Sequence, residues 1–310
     1  MDYLKQNLKK NKLAYILILP AILAMLMIHF IPMTEGLYIS LLKLNQYTLL
    51  KFLHAPFVGL GNFYTILFDP TSTLRIGFMD AVRNTIIYTI VVNIAVLSIG
   101  MWLAHVLKEE FRGRGIARTM LLLPWVVPSY VVGLLWGFMW RQDSGIINRI
   151  LVDYLHLLPT KPFWLIGPNV LTAIIVPTIW RSFPMTMIIL LAGLQSISED
   201  FYEAAEIDGA TSWQKFIYVT IPFLKPVLGT LILFGMLGSI YSYNIVAMMF
   251  GNGAGFPGEW GDLIMTNIAR NSFSMWQFGT GAAASVLLMI AVLSLTGIWY
   301  KIFKDSLTMK

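Results

Sequence analysis

Long apolar runs separated by short polar segments occupy most of the chain. Six of these runs are long enough to span a bilayer, since a membrane-crossing helix needs about 20 mainly apolar residues. They cover residues 13–31, 85–107, 120–140, 170–194, 227–250 and 278–300. The pattern predicts an all-α integral membrane protein with six transmembrane helices, organised as a single transmembrane domain over residues 1–310.

The composition supports this prediction, and the basic residues orient it. Hydrophobic residues make up 57% of the chain and charged residues only 12%, which is outside the range of soluble globular proteins. The run at 13–31 follows Lys5, Lys9 and Lys10, but it is too long for a signal peptide and no small-residue cleavage site follows it, so we interpret it as a membrane anchor. With the N-terminus inside, the cytoplasmic segments hold 13 lysines and arginines and the outer segments hold eight. The positive-inside rule therefore predicts an N-in, C-in topology.

The chain lacks the residue patterns that metal or nucleotide chemistry requires. It has no cysteine, which excludes disulfides and thiolate metal sites. Its histidines, His29, His54, His105 and His156, form no pair at helical ligand spacing. No Gly-x-x-x-x-Gly-Lys-Ser/Thr pattern occurs. We therefore expect no catalytic residue, no bound metal and no cofactor on this chain, and no ATP hydrolysis by it alone.

The polar segment at 195–225 differs from the other connections between apolar runs. Ser198 is placed to cap a helix with acidic residues in its first turn, and a glycine ends that helix. A second helical stretch resumes from about Ser212, and Pro222 and Pro226 are expected to break it before the fifth span. The segment is either a solvated helical hairpin or an element that docks on a soluble partner. The candidate docking residues are Glu203, Ala204, Ala205, Asp208, Gly209 and Pro222.

Polar side chains inside the fourth and fifth runs indicate a candidate solute path, because polar groups at bilayer depth face protein or water. Ser239, Ser242 and Tyr243 are spaced i, i+3 and i+4, which predicts a shared helical face. The candidate path residues are Thr178, Arg181, Ser182, Met185, Ser239, Tyr241, Ser242, Tyr243 and Asn244. Two alternatives stay open: Arg181 pairs with carbonyls that Pro184 frees, and the small polar residues of the fifth run only hold helices together.

Two other classes of membrane protein fit the residues less well. A secondary transporter would carry carboxylates at mid-bilayer depth, and none of the six runs has Asp or Glu in its core. An intramembrane enzyme would need a nucleophile with a base, or a metal pair. His105 and Asn93 in the second run have no evident partner for such chemistry.

Residues of the 195–225 segment carry a resemblance to a known family. Glu203-Ala204-Ala205, Gly209 and Pro222 match the EAA loop of binding-protein-dependent ABC importer permeases, whose pattern is E-A-A, three residues, G, nine residues, I-x-L-P. Val219 and Ile221 stand where the pattern has isoleucine and leucine. Further segments resemble the carbohydrate (maltose-type) sugar permeases at 58–63, 84–85, 113–115, 118–119, 123–124, 180–181, 191–197 and 208–210. Those permeases often carry a T-x-G-G-P-type turn after the fifth span, where this chain has a different glycine-rich sequence at 251–257.

The resemblance implies a type I ABC importer permease fold with a cytoplasmic coupling helix. It implies a heterodimer with a second permease subunit, two cytoplasmic ATPase subunits that bind ATP and Mg²⁺, and an extracytoplasmic solute-binding protein, at a bacterial or archaeal cytoplasmic (inner) membrane. Glu203 would make a polar contact with an ATPase, Ala204 and Ala205 would allow close approach, and Gly209 would set the turn. In the family, the part of the fourth helix around Thr178 lines the sugar site.

The implied function is import of a sugar or oligosaccharide by alternating access. Import of a polyamine, a phosphorylated polyol or a glycan fragment is the alternative within the same family.

Overall fold

A computed structural model describes residues 11–251 and 256–307 of the chain. The helices within these ranges are α1 (Lys12–Ile39), α2 (Gly61–Leu67), α3 (Thr73–Val106), α4 (Arg114–Val126), α5 (Ser129–Met139), α6 (Ile146–Asn148), α7 (Val170–Gln195), α8 (Glu199–Ile207), α9 (Ser212–Lys215), α10 (Ile221–Ile240), α11 (Asn244–Met249), α12 (Ile264–Ala269) and α13 (Phe278–Leu307). Turns of π-helix lie at Leu26–Phe30, Arg149–Tyr154, Phe216–Thr220 and Arg270–Ser274, and 3-10 turns at Leu49–His54 and Gly167–Asn169. Lys5, Lys9 and Lys10, and residues 252–255 of the glycine-rich turn, lie outside the described residues.

The helices confirm an all-α, multi-pass membrane protein. Five helical segments are long and apolar enough to cross a membrane, and a bent pair, α4 with α5, is a sixth candidate. Several helices extend beyond the predicted runs: α1 continues to Ile39 and α3 already begins at Thr73. Hydropathy identifies only the lipid-embedded part of a helix, and the first turns of α3 carry Arg75, Asp80 and Arg83.

The third predicted span is not one straight helix. α4 ends at Val126, α5 begins at Ser129, and their axes differ by 90°. Val127 has an extended backbone (φ −66°, ψ 125°), because the ring of Pro128 disfavours the α conformation in the residue before it. The prediction of one helix over 120–140 is therefore wrong at this point, and the Val127 carbonyl lies outside both helices.

The fifth predicted span is also interrupted. α10 ends at Ile240, and Tyr243 has a non-helical backbone (φ −135°, ψ −54°) before α11 begins. The predicted span over 227–250 lies within one candidate membrane-crossing segment, Ser212–Met249, but the helix in it is not continuous. The predicted shared helical face of Ser239, Ser242 and Tyr243 is wrong, because the i, i+3, i+4 rule requires a continuous helix.

Pro222 and Pro226 do not interrupt the chain where a break was predicted. Pro222 lies in the first turn of α10, where a missing N–H is tolerated, and Pro226 lies inside the same helix. The π-turn at Phe216–Thr220 directly precedes α10 and re-spaces the backbone hydrogen bonds there. Helical structure therefore continues from Ser212 through both prolines to Ile240.

The described residues divide into two compact units. The first contains residues 11–69 and Asn271–Leu287, and the second contains Pro70–Arg270 and residues 288–307. In the first unit, the buried Asn62 side chain donates to the carbonyls of Ser40 (2.8 Å) and Leu42 (2.9 Å). These bonds close the turn after α1.

Helix α7 is the centre of the second unit. It packs along α3 more extensively than on any other helix and also contacts α4, α5 and α10. Helices α5 and α11 pack closely because Gly133 and Gly137 face the partner backbone. A Cβ built on Gly133 would lie 2.5 Å from the Ile245 carbonyl oxygen, and one on Gly137 would lie 3.1 Å from that of Met249. The Gly-x-x-x-Gly spacing thus joins the two shorter pieces of the interrupted spans.

Four tryptophans form a continuous cluster in the same unit. The ring centroids of Trp136 and Trp140 are 5.6 Å apart, those of Trp136 and Trp180 5.9 Å, and those of Trp140 and Trp164 4.8 Å. The buried Trp140 indole donates to the Ala173 carbonyl at 3.0 Å. This tryptophan cluster binds α5 to α7.

A buried carboxylate organises the segment that leads into α12. Asp262 is 1% exposed. It accepts hydrogen bonds from Thr266 (2.8 Å) and Asn267 (2.9 Å), and it pairs with Arg270 at 2.8 Å. The backbone carbonyl of Asp262 accepts a bond from Asn84 of α3 at 3.1 Å. Asp262 therefore joins α12 to α3.

Replacing Asp262 with asparagine is expected to lower the free energy of unfolding by about 3 kcal/mol, because breaking a buried pair leaves the Arg270 charge uncompensated. Chemical denaturation in mixed micelles, followed by tryptophan fluorescence, measures the change. Asp143→Asn, at an exposed aspartate, is the matched control. Equal stability of the two variants would contradict the structural role of the Asp262 pair.

Candidate solute cavity and coupling loop

A cavity of about 430 Å³ lies within the second unit, between α3, α5, α7, α10 and the unwound segment at 241–243. All nine candidate path residues line it. They are Thr178, Arg181, Ser182, Met185, Ser239, Tyr241, Ser242, Tyr243 and Asn244. The walls also include residues outside the predicted path: Tyr88, Asn93, Ser129, Thr186, Phe234, Gly235 and Gly238.

Tyr88 is the polar centre of the buried wall. Its side chain is 0% exposed. Its hydroxyl bonds to the hydroxyls of Thr178 and Ser242, both at 3.0 Å. Thr178 also donates to the Ile174 carbonyl of its own helix at 2.9 Å. One phenol thus joins α3, α7 and the unwound segment, and the sequence signal for it is a tyrosine within the second predicted membrane span.

Asn93 has the partner that the sequence did not reveal. Its amide donates to the Thr89 carbonyl at 2.7 Å and to the Ser239 hydroxyl at 3.1 Å. A side chain at Gly235 would overlap the side-chain oxygen Oδ1 of Asn93, so the glycine allows α10 to approach α3 while Asn93 keeps its position. Asn93 and Ser239 therefore fix the contact between these two helices beside the cavity.

Arg181 is bound to the backbone at the break in the third span. Its Nε donates to the Val127 carbonyl at 3.1 Å. That carbonyl was exposed by Pro128, so the predicted alternative of a pairing with carbonyls freed by Pro184 is not what the structure has. The side chain is half-buried and borders the cavity. Arg181 therefore satisfies an unpaired backbone group and also presents its guanidinium to the cavity.

The unwound segment carries the remaining polar groups into the cavity. Asn244, at the start of α11, donates to the Ser129 hydroxyl at the start of α5 (3.2 Å). Both interrupted spans thus meet at one point of the cavity wall. Irregular backbone at membrane depth is tolerated where it is buried in protein or lines an aqueous cavity, and discontinuous helices commonly form transport sites.

The polar groups that line the cavity are uncharged, with one exception. Among the described side chains that line it, Arg181 is the single formal charge, and the other polar groups are hydroxyls and amides. No group of three His, Cys, Asp or Glu that could hold a metal occurs in the described part of the chain. Hydroxyls and amides can bond a polyhydroxylated solute, and tyrosine rings can stack on it.

The segment at 195–225 folds as two helical pieces joined by a tight turn. The backbone N–H of Asp200 donates to the Ser198 hydroxyl at 3.4 Å, which caps α8 as predicted. Gly209 ends α8 with a left-handed backbone (φ 77°), which favours glycine. Thr211 and Gln214 form a capping box at the start of α9.

One face of α8 is bound to the rest of the chain. Glu199 pairs with Lys108 at 2.7 Å, the Tyr202 hydroxyl bonds to that of Thr220 at 3.0 Å, and Glu206 pairs with Lys215. These contacts fix the helix against the end of α3 and against the start of the fifth span.

The opposite face of α8 is open. Glu203 and Ala204 are exposed, Ala205 is half-buried, and Ile207 is 86% exposed. Among the described residues Glu203 makes no ion pair. Asp208 and Gly209 extend the open face, and Pro222 lies apart from it in α10. The open face thus combines a small apolar centre with a carboxylate that forms no ion pair with any described residue.

Comparison with known proteins agrees with this architecture. Residues 96–308 match the family described as Binding-protein-dependent transport system inner membrane component. The chain is 31% identical over 305 residues to the trehalose/maltose transport system permease protein MalF of Thermococcus litoralis, with 96% of each chain covered. It is 32% identical over 280 residues to the inner membrane ABC transporter permease protein YcjO of Escherichia coli, with 90% of each covered.

A solved structure shares the fold. It is a bacterial alginate ABC transporter in complex with an alginate pentasaccharide-bound periplasmic protein, and one of its chains aligns with a TM-score of 0.76 at 20% identity over 98% of both chains. The match of the family over most of the chain, together with the helical membrane fold, establishes the assignment. The chain belongs to the family of binding-protein-dependent transport system inner membrane components, and it is therefore a transport subunit and not an enzyme.

Proposed function

We propose that this chain is the transmembrane permease subunit of an ATP-driven importer that accepts a sugar or oligosaccharide from a solute-binding protein and moves it inward by alternating access. The observation that carries the proposal is the presence, in one compact unit, of a hydroxyl-lined cavity and a helix with an open docking face. The cavity offers the solute a transit site. The open face of α8 offers an ATPase a lever.

The lining of the cavity supports a sugar as the solute. Tyr241 and Tyr243 can stack on a sugar ring, and Ser182, Ser239 and Asn244 can bond its hydroxyls. The Thermococcus litoralis relative is named for trehalose and maltose, which are neutral oligosaccharides of this chemistry. We extend that substrate class to this chain.

The proposed assembly follows the family. A second permease forms a heterodimer with this chain, two ATPase subunits bind ATP and Mg²⁺ on the cytoplasmic side, and the binding protein docks on the outer side. Glu203 makes the polar contact with the ATPase, Ala204 and Ala205 allow the close approach, and Gly209 with Asp208 fixes the turn. The proposed topology is N-in, C-in at the bacterial or archaeal inner membrane, which places α8 in the cytoplasm.

A phosphorylated polyol is the second candidate solute. Arg181 is positively charged and borders a cavity without a described carboxylate, and guanidinium groups bind phosphate strongly. The same charge disfavours a polyamine, which is a cation. A glycan fragment falls within the oligosaccharide class already proposed.

Purification of the chain from its native membrane, with mass spectrometry of co-purifying proteins, tests the proposal first. We expect a second permease and an ATPase subunit to be recovered. The complex is then reconstituted with its binding protein and assayed for ATP-dependent uptake of radiolabelled maltose, trehalose and glycerol 3-phosphate. Uptake of a sugar supports the main proposal, and uptake of glycerol 3-phosphate alone supports the second candidate. Recovery of this chain alone, with uptake driven by an ion gradient, would overturn both and favour a secondary transporter.

A further inference from the structure

At the cytoplasmic end of α3, one residue makes two polar contacts with the coupling helix α8. Lys108, directly after α3, places its ammonium 2.7 Å from the Glu199 carboxylate and 4.5 Å from the centre of the Tyr202 ring. Both partners lie in the first turn of α8. Lys108 thus binds α8 by an ion pair and a cation–π contact at the same time.

Because Lys108 is largely buried, breaking these contacts is energetically costly. The Lys108 side chain is 20% exposed, whereas that of Glu199 is 66% exposed. A covered ammonium that loses its partners suffers the desolvation penalty of a buried charge, and both partners belong to the same helix. The first turn of α8 therefore cannot move away from the end of α3 without leaving a covered charge unpaired.

Helix α3 connects this point to the solute cavity without interruption. Tyr88 and Asn93 of α3 lie in the cavity wall, and Lys108 lies about 22 Å beyond Asn93 along the helix axis. The helix has no internal proline, whereas α7 contains Pro177 and Pro184. A continuous helix transmits displacement along its axis, and kinks occur mainly at prolines or disrupted turns.

The end of α3 is braced from a second side. Arg114 Nε and Arg118 Nη2, both in α4, donate to the Leu107 carbonyl at 2.8 Å and 3.3 Å. Helix α8 is also attached to α10, directly by the ring contact of Phe201 with Phe223 (centroids 4.6 Å apart) and through the π-turn by the bond between Tyr202 and Thr220. Of these attachments, the one through Lys108 is the one whose separation would leave a covered charge unpaired.

We infer that Lys108 is a positioning residue that transmits movement between the solute cavity and α8, so that α3 and α8 shift as one body when the ATPase closes. This inference rests on the proposed function, because it assumes that α8 docks on an ATPase. The inference adds the connection after α3 to the residues that couple the cavity to the ATPase, beside those of the EAA segment.

The test measures ATPase activity of the purified full complex in nanodiscs, with and without the sugar-loaded binding protein. Lys108→Glu is expected to reduce the ratio of stimulated to unstimulated activity about tenfold, within the range typical of coupling between two sites. Lys108→Arg keeps the charge and the ring contact, and is expected to retain the ratio. Glu199→Lys is expected to weaken coupling as Lys108→Glu does. The charge-swapped double variant is expected to recover a ratio above that of either single variant, because contacting residues are non-additive.

Two further variants keep the result decisive. Lys108→Met removes the charge but keeps an unbranched stem against Tyr202, so it reports on coupling even if Lys108→Glu fails to assemble. Arg112→Glu changes the same charge in the same connection, at an exposed residue without an ion pair among the described residues, and is expected to leave the ratio unchanged. Wild-type stimulation in Lys108→Glu or Lys108→Met would overturn the inference alone. A wild-type complex without an ATPase would overturn the proposed function, and the inference with it.

Discussion

Replacing Gly238 with tryptophan is expected to abolish solute uptake while the complex still assembles. Gly238 lines the cavity, and a Cβ built on it would meet no atom within 4 Å. A side chain can therefore leave the backbone here without a clash at its Cβ, and an indole at this wall would occupy part of the 430 Å³ available to a solute. We expect uptake by the reconstituted complex to fall about 100-fold, which corresponds to about 2.8 kcal/mol. Uptake of the radiolabelled solute carried by the wild type is the measurement.

Gly297 offers a matched control for this substitution. It lies in α13, a Cβ there also meets no atom within 4 Å, and it does not line the cavity. Gly297→Trp adds the same side chain to a membrane helix and is expected to leave uptake near the wild-type rate. Normal uptake in Gly238→Trp would show that the solute does not pass through this cavity.

Reversing the charge at Glu203 is expected to uncouple the transporter. The Glu203 carboxylate is exposed on the open face of α8, and no ion pair within the described residues uses it. Glu203→Lys would place a positive charge where we propose that the ATPase presents a complementary surface, and like-charge juxtaposition at an interface costs several kcal/mol. We expect ATP-driven uptake to fall about 100-fold or more. The readouts are uptake and the amount of ATPase that co-purifies with the chain.

Glu110→Lys makes the same charge change at an exposed residue of the connection after α3, and it is expected to leave uptake intact. If Glu203→Lys retains both ATPase binding and uptake, the open face of α8 is not the docking surface.

Hydropathy predicted the membrane-spanning regions because a helix that crosses the bilayer needs about 20 mainly apolar residues. It could not predict which prolines interrupt a helix. Pro128 and Pro222 both remove a donor, but their surroundings differ. The carbonyl released before Pro128 is bonded by Arg181, 54 positions away, whereas the chain before Pro222 adopts a π-turn. Whether a proline interrupts a helix therefore depends on contacts with distant residues, which the local sequence does not show.

The candidate path was predictable in its residue types and not in its geometry. Polar groups inside apolar runs had to face protein or water, and the eight polar residues selected on this basis, together with Met185, are among those that line the cavity. The predicted shared face in the fifth run was wrong because the helix ends at Ile240. Tyr88 and Asn93 were missed as wall residues because their partners, Thr178, Ser242 and Ser239, lie on other helices.

The tryptophan cluster gives this protein an optical signature of its own. Trp136, Trp140, Trp164 and Trp180 lie with neighbouring ring centroids 4.8 to 5.9 Å apart, so their electronic transitions couple and excitation migrates among them. Trp180 is adjacent in sequence to Arg181, and Trp136 lies on the helix that follows the break at Pro128. Any rearrangement of α5 against α7 would change this coupling, and near-ultraviolet circular dichroism could record it on unlabelled protein.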